Sequence, residues 1–391
     1  DELARFAPGL DARAHRGGRR GRAPAVAAGT VIVTSYDVLL RDREAFGELA
    51  FATLIADEAQ AIKNARTQRA RATATIDAAF RVALSGTPVE NRLADLWSLF
   101  HLVAPGLLGS WARFRSRFAI PIERHEDAER AALLRALIAP FVLRRTKREV
   151  AKELPPRTEV VHRVELSTAE QDLYGAAVRQ ARRAMRRTGD GHPRSVRLLA
   201  ELTRLRQLAC HPRLVVEDAR IESSKLHALV QLLEDVLPRG HRVLVFSQFT
   251  RHLDLVREAL DARGIASLTL DGSTPVAERA RRVERFQRGE PAVFLISLKA
   301  GGTGLNLTGA DYVVHLDPWW NPSAEDQASD RAHRIGQERP VTIVKLVAQG
   351  TIEETVLAMH EHKRRLAGSV LAGTATPTPL DEATLEVLLA R

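Results

Sequence analysis

The feature that most constrains the fold is the alternation of strands and helices in the last third of the chain. After Arg239, short apolar runs recur, separated by segments whose apolar residues repeat with the period of an amphipathic helix. The predicted strands are 242–246, 266–270, 292–297, 311–316 and 341–347. The predicted helices are 250–263, 276–288, 323–335 and 352–366. Single helices between strands favour a parallel sheet with right-handed crossovers, so an α/β domain is predicted here.

The first hundred residues show a shorter version of the same pattern. Apolar strands are predicted at 30–36, 51–56 and 81–84. The Gly/Arg-rich run from His15 to Arg22 is predicted to be a loop, because it lacks apolar periodicity. Helical patterns with charged faces fill most of the middle, and 158–166 is strand-like. The predicted domains are a first α/β lobe at 1–105, a helical insertion at 106–238, a second α/β lobe at 239–366 and a tail at 367–391.

The charge of the chain favours a polyanionic partner. Its 58 Lys and Arg residues exceed its 48 Asp and Glu residues, which gives a net charge of +10. Between Ala176 and Arg213, ten arginines face only two acids, an imbalance that suits phosphate contact, although a solvated helical face is the alternative. The ten are Arg179, Arg182, Arg183, Arg186, Arg187, Arg194, Arg197, Arg204, Arg206 and Arg213.

Two further classes of protein are disfavoured by composition. No run of about 18 apolar residues occurs, so we expect no membrane partner, and no signal peptide is visible. The expected location is cytoplasmic, beside the nucleoid if the source is bacterial. The one cysteine, Cys210, excludes an internal disulfide. We reject a zinc site at Cys210 and His211, because no further ligands accompany them at metal-site spacing.

An acid pair, Asp57-Glu58, follows the predicted strand 51–56 directly. Open α/β sheets place their chemistry at the carboxyl ends of strands. One carboxylate there can hold Mg²⁺ through water, and a second can polarise a water that attacks a phosphate. We assign Asp57 to Mg²⁺ and Glu58 to the attacking water. Asp-Glu also occurs in surface turns, so the assignment depends on the residues that follow the pair.

Near the other end of the chain, a predicted helix capped by Ser323 carries Gln327, Arg331 and Arg334. Their spacing of i, i+4 and i+7 places the three side chains on one helical face. Two neighbouring guanidinium groups repel each other unless an anion lies between them, and their planar fork suits a phosphate. A solvated basic face is the alternative interpretation.

Together these segments resemble the Swi/Snf-type ATPases, the double-stranded DNA translocases of helicase superfamily two. The strings that carry the resemblance are Asp57-Glu58-Ala59-Gln60, Ser85-Gly86-Thr87-Pro88, Lys299-Ala300-Gly301-Gly302-Thr303-Gly304-Leu305-Asn306 and Gln327-Ala328-Ser329-Asp330-Arg331-Ala332-His333-Arg334-Ile335-Gly336-Gln337. The resemblance implies two RecA-like parallel-sheet lobes, the first one incomplete, joined by a mainly helical insertion. It also implies that Arg331 and Arg334 act on the γ-phosphate of ATP bound to the other lobe.

The resemblance implies further roles, residue by residue. The expected cofactors are ATP and Mg²⁺, and the expected partner is double-stranded DNA, with a DNA-bound protein or RNA polymerase as a further partner. Gly304 and Asn306 should lie near the nucleotide. Ser85, Gly86 and Thr87 should couple hydrolysis to lobe movement. Arg144, Arg145 and Lys147 are expected near DNA or near the cleft between the lobes. The other residues expected near DNA are Thr34, Ser35, Tyr36, Ser247, Gln248, Ser297, Lys299 and Thr303.

The sequence contains no GxxxxGK[ST] phosphate loop. The function expected of the whole protein therefore differs from the function expected of the printed chain. We expect the printed chain to start partway through the first lobe. The whole protein is then expected to be an ATP-dependent DNA translocase that displaces bound protein, while this chain alone binds DNA without hydrolysing ATP. The alternatives are a nucleic-acid-binding scaffold without ATPase activity and a remodeller that works on RNA or with RNA polymerase. Direction of movement and oligomeric state are not predicted.

Overall fold

The computed structural model describes residues 2–16, 26–86, 92–125, 127–143, 145, 147–186, 194–301 and 304–361. These residues form two compact units, one ending at Val142 and the other beginning at Leu143. No helix in the described ranges is both long and apolar enough to cross a membrane.

The described residues of the first unit form short parallel strand pairs and eight α-helices. Its strands are β1 (Asp11–His15), β2 (Thr30–Thr34), β3 (Ala50–Ala56) and β4 (Asp77–Ala83). Within the described residues, β1 pairs with β2 and β3 pairs with β4, both in parallel. The helices are α1 (Glu2–Phe6), α2 (Tyr36–Arg41), α3 (Arg43–Gly47), α4 (Gln68–Ala74), α5 (Leu93–Val103), α6 (Trp111–Phe114), α7 (Ile120–His125) and α8 (Ala128–Ile138).

The sequence predicted neither α1 nor β1, and the predicted loop from His15 to Arg22 is wrong at His15, where β1 ends, while residues 17–22 lie outside the described residues. The sequence of β1, Asp-Ala-Arg-Ala-His, has no apolar pattern, so its strand forms through backbone pairing with β2 in the register Asp11 to Thr30. A side-chain bond strengthens the pairing, because the Thr34 hydroxyl donates to the carbonyl oxygen of His15 at 3.0 Å. Such pairing depends on a neighbouring strand and leaves no periodic signal in the sequence.

The apolar core of the first unit lies on one side of its strands. Leu39, Phe46 and Ile76 are buried together, with residues of both strand pairs packed against them. A second cluster, centred on Leu93 and Phe114, fills the space beneath α5. Other apolar side chains on the strands remain more than half exposed, namely Val33, Ile55 and Phe80.

The second unit is built on a six-stranded parallel sheet with the order β5-β10-β9-β6-β8-β7. Its strands are β5 (Arg157–Val164), β6 (Val243–Ser247), β7 (Ser267–Leu270), β8 (Val293–Ser297), β9 (Tyr312–His315) and β10 (Val341–Ala348). All residues of β6 and β8 are buried, as expected for central strands covered on both faces. The prediction of an α/β fold with parallel sheets is confirmed.

Helices cover this sheet. They are α9 (Lys147–Val150), α10 (Thr168–Arg186), α11 (Arg194–Cys210), α12 (Ser224–Val236), α13 (Thr250–Asp261), α14 (Val276–Gln287), α15 (Leu298–Gly301), α16 (Pro322–Ser329) and α17 (352–361). The edge strand β5 comes from the segment that the sequence assigned to the insertion, and it pairs with β10 along its whole length. The boundaries predicted at 105/106 and 238/239 stay predictions.

A buried ion pair fastens α12 to α17. Lys225 Nζ donates to both carboxylate oxygens of Glu353, at 2.8 and 2.7 Å, and each side chain is 1% exposed. Burial opposes the charge of both groups, while their mutual attraction and the backbone amide of Ala348, which donates to Glu353 at 2.8 Å, favour it. Removing one partner therefore leaves a buried charge without compensation.

We expect Lys225→Met to lower the free energy of unfolding of the second unit by about 3–5 kcal/mol, because it strands the Glu353 carboxylate. The double variant Lys225→Met/Glu353→Met should recover part of that loss, since it removes both charges. The control is Arg239→Ala, which breaks the exposed pair with Asp235 and should change stability by about 0.5 kcal/mol or less. Urea unfolding measures all three variants. A loss below about 1 kcal/mol for Lys225→Met would contradict this account.

Candidate functional site

The acid pair lies where β3 ends, as the sequence predicts. Glu58 adopts φ 47° and ψ 48°, a left-handed conformation that is uncommon for a residue with a side chain. Its backbone amide donates to Oδ1 of Asp57 at 2.9 Å, and both carboxylates are exposed. The turn is braced from β4, because the Leu84 amide donates to Ala56 and the Leu84 carbonyl accepts from Ala59. Such a constrained conformation is typical of functional sites.

A hydrogen-bond chain connects the acid pair to the predicted coupling motif. The Ser85 hydroxyl donates to Gln60 Oε1 at 2.9 Å, and Gln60 Nε2 donates to Glu58 Oε2. Gly86 follows directly, and Thr87 lies outside the described residues. The sequence analysis gave no role to Gln60. The sequence did contain a signal for such a role. Gln60 lies two residues after the predicted catalytic acid, and its carboxamide can donate and accept hydrogen bonds at the same time.

Tyr36, predicted to lie near DNA, lies against the acid pair. Its hydroxyl donates to the backbone carbonyl of Asp57 at 2.7 Å. Burial, together with the smaller effects of the negative charges of Asp57 and Glu58, raises the pKa of Tyr36 to about 12. The hydroxyl of Thr34 bonds a carbonyl in β1, and Ser35 caps the start of α2. A role on DNA stays a prediction for these residues.

In the second unit, the helix that should carry the arginines is shorter than predicted. Helix α16 ends at Ser329, and its N-cap is Asn321, whose side chain accepts from the Ser323 amide at 3.1 Å. The prediction of a helix over 323–335, capped by Ser323, with Gln327, Arg331 and Arg334 on one face, is therefore wrong. Only Gln327 lies in the helix. We call residues 330–337, which follow in turns, the arginine segment.

Beyond the end of α16, other donors bind the carbonyl oxygens that a helix continued through residue 337 would need. In a continued helix, these oxygens would accept from amides four residues later. Here each accepts from a donor outside that pattern, at 3.0 Å in every case: Arg331 O from Leu307 N, Ala332 O from Gln337 Nε2, and His333 O from Lys147 Nζ. The Gln337 carboxamide also donates to two carbonyls in the loop before β9, at 2.9 and 2.7 Å.

The resulting geometry joins two predicted motifs. Leu307, which bonds the arginine segment, directly follows the glycine-containing stretch with Gly304 and Asn306. Both of those residues are exposed, and Gly304 has a φ of 53°. Arg334 is exposed and Arg331 is half-buried. The residues predicted to touch nucleotide from this lobe therefore share one rim of the second unit.

Lys147, predicted near DNA or the cleft between the lobes, lies on this rim. Besides donating to His333, its ammonium group lies 2.8 Å from Asp330, and its side chain is 43% exposed. Arg157 reinforces the same end of α16 through Asp326 at 3.3 Å and Asp330 at 3.2 Å. Of the basic residues next to Lys147, Arg145 is exposed and Arg144 lies outside the described residues.

Other residues predicted near DNA differ in accessibility. Ser247 is fully buried and donates to Asp317 Oδ1, and Ser297 is 4% exposed with its hydroxyl accepting from the Ala300 amide. These positions do not fit direct contact of the two side chains with DNA. Lys299 is exposed, and Gln248 is half-buried. Thr303 lies outside the described residues.

The basic run between Ala176 and Arg213 is not one solvated face. Arg206 is 4% exposed and lies against aromatic rings, so it has no surface for a phosphate. Arg213 lies 3.3 Å from Glu258. Arg179 and Arg183 on α10 are exposed. The predicted phosphate contact is thus restricted to a part of the run.

Folding brings Cys210 to metal-ligating neighbours that the sequence spacing did not reveal. One ligand atom each from Cys210, His252 and Asp317 lie within 4.8 Å of one another, all buried. Burial raises the pKa of the Cys210 thiol well above its usual value, while Lys225 and Arg206 are close enough to oppose that shift. Burial also lowers the pKa of His252, and Lys225 adds to that effect. Burial favours the protonated form of the Cys210 thiol, which is a poor metal ligand, so we assign no metal here.

Two family models match the chain. The SNF2-related domain matches residues 1–214, and the helicase conserved C-terminal domain matches residues 224–336. The boundary between the matches falls between α11 and α12.

Relatives from distant organisms match nearly the whole chain. A Bacillus subtilis (strain 168) protein, YwqA, whose name proposes an ATP-dependent helicase/translocase, is 40% identical over 99% of this chain and 43% of its own length. Mouse chromodomain-helicase-DNA-binding protein 1-like is 35% identical over 95% of this chain and 43% of its own length. The chain thus spans less than half the length of these curated relatives. The solved Sulfolobus solfataricus SWI2/SNF2 ATPase core domain is 32% identical, with a TM-score of 0.51, covering 99% of this chain and 80% of that one.

One testable consequence concerns the histidine that supports α16. His315 Nε2 lies 2.8 Å from the Ser329 hydroxyl, and burial lowers the pKa of His315 to about 4. In the unfolded chain this histidine binds a proton near pH 6.5, whereas the folded chain binds it only near pH 4. The stability present above about pH 6.5 is therefore lost as the pH falls toward 4. We expect a loss on the order of 1–2 kcal/mol between about pH 7 and about pH 5 from this group.

Urea unfolding at the two pH values measures this loss. His315→Gln should show a smaller difference between them than the unmodified chain, whereas the exposed-residue control His227→Gln should show the full difference. An equal pH dependence for His315→Gln and the unmodified chain would contradict the assignment.

Proposed function

The chain belongs to the SNF2-related family of SWI/SNF-type helicases, and from this premise we propose that the protein containing it is an ATP-driven translocase on double-stranded DNA. The observation that carries the proposal is the hydrogen-bond chain from Ser85 through Gln60 to Glu58. It connects the acid expected to activate water with the motif expected to transmit hydrolysis to movement. A protein that only bound nucleic acid would have no need of that connection.

The residues at the end of β3 fit a magnesium ion. Asp57 presents an exposed carboxylate, and Mg²⁺ prefers oxygen ligands and retains several waters. When bound, Mg²⁺ would offset the negative charge of the phosphate oxygens. Asp57 would hold it through water, as the sequence suggests. Glu58, oriented by its left-handed backbone and by Gln60, would accept the proton of the attacking water.

The arginine segment would supply positive charge from the second lobe. Arg331 and Arg334 stand on a segment whose backbone is held by the Leu307 amide, by Lys147 of α9 and by the side chain of Gln337 within the segment itself. A fixed guanidinium group stabilises charge on a transferring phosphoryl group without reorganising during the reaction. The printed sequence contains no GxxxxGK[ST], so in this proposal the cradle for the β- and γ-phosphates comes from elsewhere in the whole protein.

Movement along DNA follows from two lobes that alternate between closed and open. In our proposal the lobes close on ATP and separate after its hydrolysis, while their phosphate contacts advance along the duplex and displace bound protein. The net charge of +10 and exposed basic residues such as Arg179, Arg183 and Lys299 support a DNA partner. We infer that contacts to phosphates, rather than to base edges, dominate.

The experiment that tests this function is ATP hydrolysis by the whole protein, with duplex DNA, with RNA and with neither. We expect stimulation by duplex DNA. Glu58→Gln should reduce hydrolysis by about 10²–10⁴-fold, because the general base is lost, while ATP stays bound and DNA affinity stays near normal. The matched control is Glu44→Gln, at an exposed acid on α3.

The other outcomes separate the alternatives. Undiminished hydrolysis by Glu58→Gln would show that the catalytic assignment is wrong. Stimulation by RNA alone would favour an RNA remodeller, and no hydrolysis by the unmodified whole protein would favour a binding scaffold.

A further inference from the structure

A buried guanidinium group connects the helical part of the second unit to the loop before α16. Arg206 lies in α11 and is 4% exposed. Its guanidinium carbon lies 5.1 Å from the ring centre of Trp320, 5.5 Å from that of Trp319 and 5.8 Å from that of Phe249. A cation over several aromatic faces is attracted by their negative potential, and the attraction grows when water is excluded. This arrangement is specific to a flat, permanently charged group.

Arg206 also holds the backbone of this loop. Its Nη2 donates to the carbonyl oxygen of Pro318 at 2.7 Å. Burial lowers the pKa of Arg206, and the nearby Asp317 carboxylate opposes that shift. A guanidinium group keeps its charge under such conditions. We call residues 317–321 the tryptophan loop.

The tryptophan loop is fixed from two further helices. The Trp319 amide donates to Glu325 Oε1 in α16 at 2.7 Å, and His360 Nε2 in α17 contacts the carbonyl oxygen of Trp319. Glu325 is held in turn by Lys345 at 3.1 Å. Consecutive backbone groups of the loop are therefore bound by side chains from α11, α16 and α17. Because α16 begins where the loop ends, the position of the loop sets the start of the helix that leads to the arginine segment.

The opposite face of α11 carries different contacts. Arg204, two residues before Arg206, points roughly to the other side of the helix, because two residues correspond to about 200° of rotation. Its Nη1 donates to Gln180 Oε1 of α10 at 3.0 Å. The exposed Arg179 and Arg183 lie on that neighbouring helix. A buried cluster that includes Ala177, Leu198 and Leu202 packs α10 and α11 together, so the pair should move as one body.

We propose that Arg206 is a positioning residue: it transmits the binding of duplex DNA on α10 and α11 to the tryptophan loop, and through α16 to Arg331 and Arg334. This inference rests on the proposed function. A shift of the two packed helices moves the guanidinium group, and its hydrogen bond and ring contacts move the loop with it. Met at this position fills similar space but has neither the charge nor the donors. Lys keeps the charge and lacks the planar fork.

The test uses the chain as printed, labelled with 5-fluorotryptophan. Its four tryptophans, Trp97, Trp111, Trp319 and Trp320, give resonances that single Trp→Phe variants assign. Titration with duplex DNA should shift the resonances of Trp319 and Trp320. In Arg206→Met that shift at saturation should fall at least fivefold, with the DNA dissociation constant changed by less than about twofold. Arg206→Lys should retain an intermediate shift.

The matched control is Arg204→Met on the opposite face of α11. It should weaken DNA binding severalfold and leave the shift at saturation unchanged. Replacing a residue that only stabilised the fold would not reduce the tryptophan shift at saturation while leaving the DNA dissociation constant unchanged. If Arg206→Met fails to fold, Arg206→Lys decides: a reduced shift at unchanged affinity supports the inference, and a full shift overturns it.

Two results would overturn the inference in distinguishable ways. DNA binding with no shift of Trp319 and Trp320, or a full shift in folded Arg206→Met, refutes the positioning role and leaves the proposed function standing. No binding of duplex DNA by the unmodified chain refutes DNA as the partner, and the positioning role fails with it.

Discussion

Hydrogen bonds to three consecutive backbone carbonyl oxygens hold the arginine segment in place. The geometry of the rim that carries the predicted nucleotide-contacting residues of the second unit depends on these bonds. Arg331 and His333 give their carbonyl oxygens to Leu307 and Lys147, and Ala332 gives its own to the nearby Gln337 side chain, instead of to a continued helix. Each of these carbonyl oxygens thereby keeps a donor while the direction of the chain changes. Arg331 and Arg334 therefore project from turns whose backbone is fixed on several sides. In a continuous helix, the backbone at these two arginines would be held only by hydrogen bonds within that helix.

Buried polar groups extend this arrangement across the edge of the sheet. Asp317 accepts from Ser247, Glu325 accepts from Trp319, and Glu353 binds Lys225. Such groups are costly to bury unless they are satisfied, so each one favours a single position for the loop that it holds. The same edge carries the tryptophan loop, the glycine-containing stretch and the arginine segment. We infer that the sheet contributes a rigid platform, and that the side chains at its rim set the geometry for chemistry.

The sequence predicted the elements whose signal is local. The central strands were predicted within one or two residues, because a parallel strand buried on both faces reads as a continuous apolar run. The acid pair was placed correctly at the end of β3, because Ala50–Ala56 reads as a mostly apolar run even though most of its residues are exposed. The turns that follow α16 were missed, because the donors that bind their carbonyl oxygens lie as far away as Lys147. The burial of Arg206 was missed as well, because the sequence of a basic run does not show whether a given arginine faces solvent or aromatic rings.

We propose that the arginine segment acts on nucleotide because its backbone is held, and the Gln337 carboxamide helps to hold it by donating to Ala332 of the segment and to Thr308 and Ala310 in the loop before β9. The most direct measurement is DNA-stimulated ATP hydrolysis by the whole protein carrying Gln337→Ala, beside Arg334→Ala. Both arginines remain in the first variant, yet we predict that its rate falls by about tenfold or more, because their alignment is lost. Hydrolysis by Gln337→Ala at the unmodified rate, with Arg334→Ala inactive, would contradict the claim that the held backbone positions the arginines.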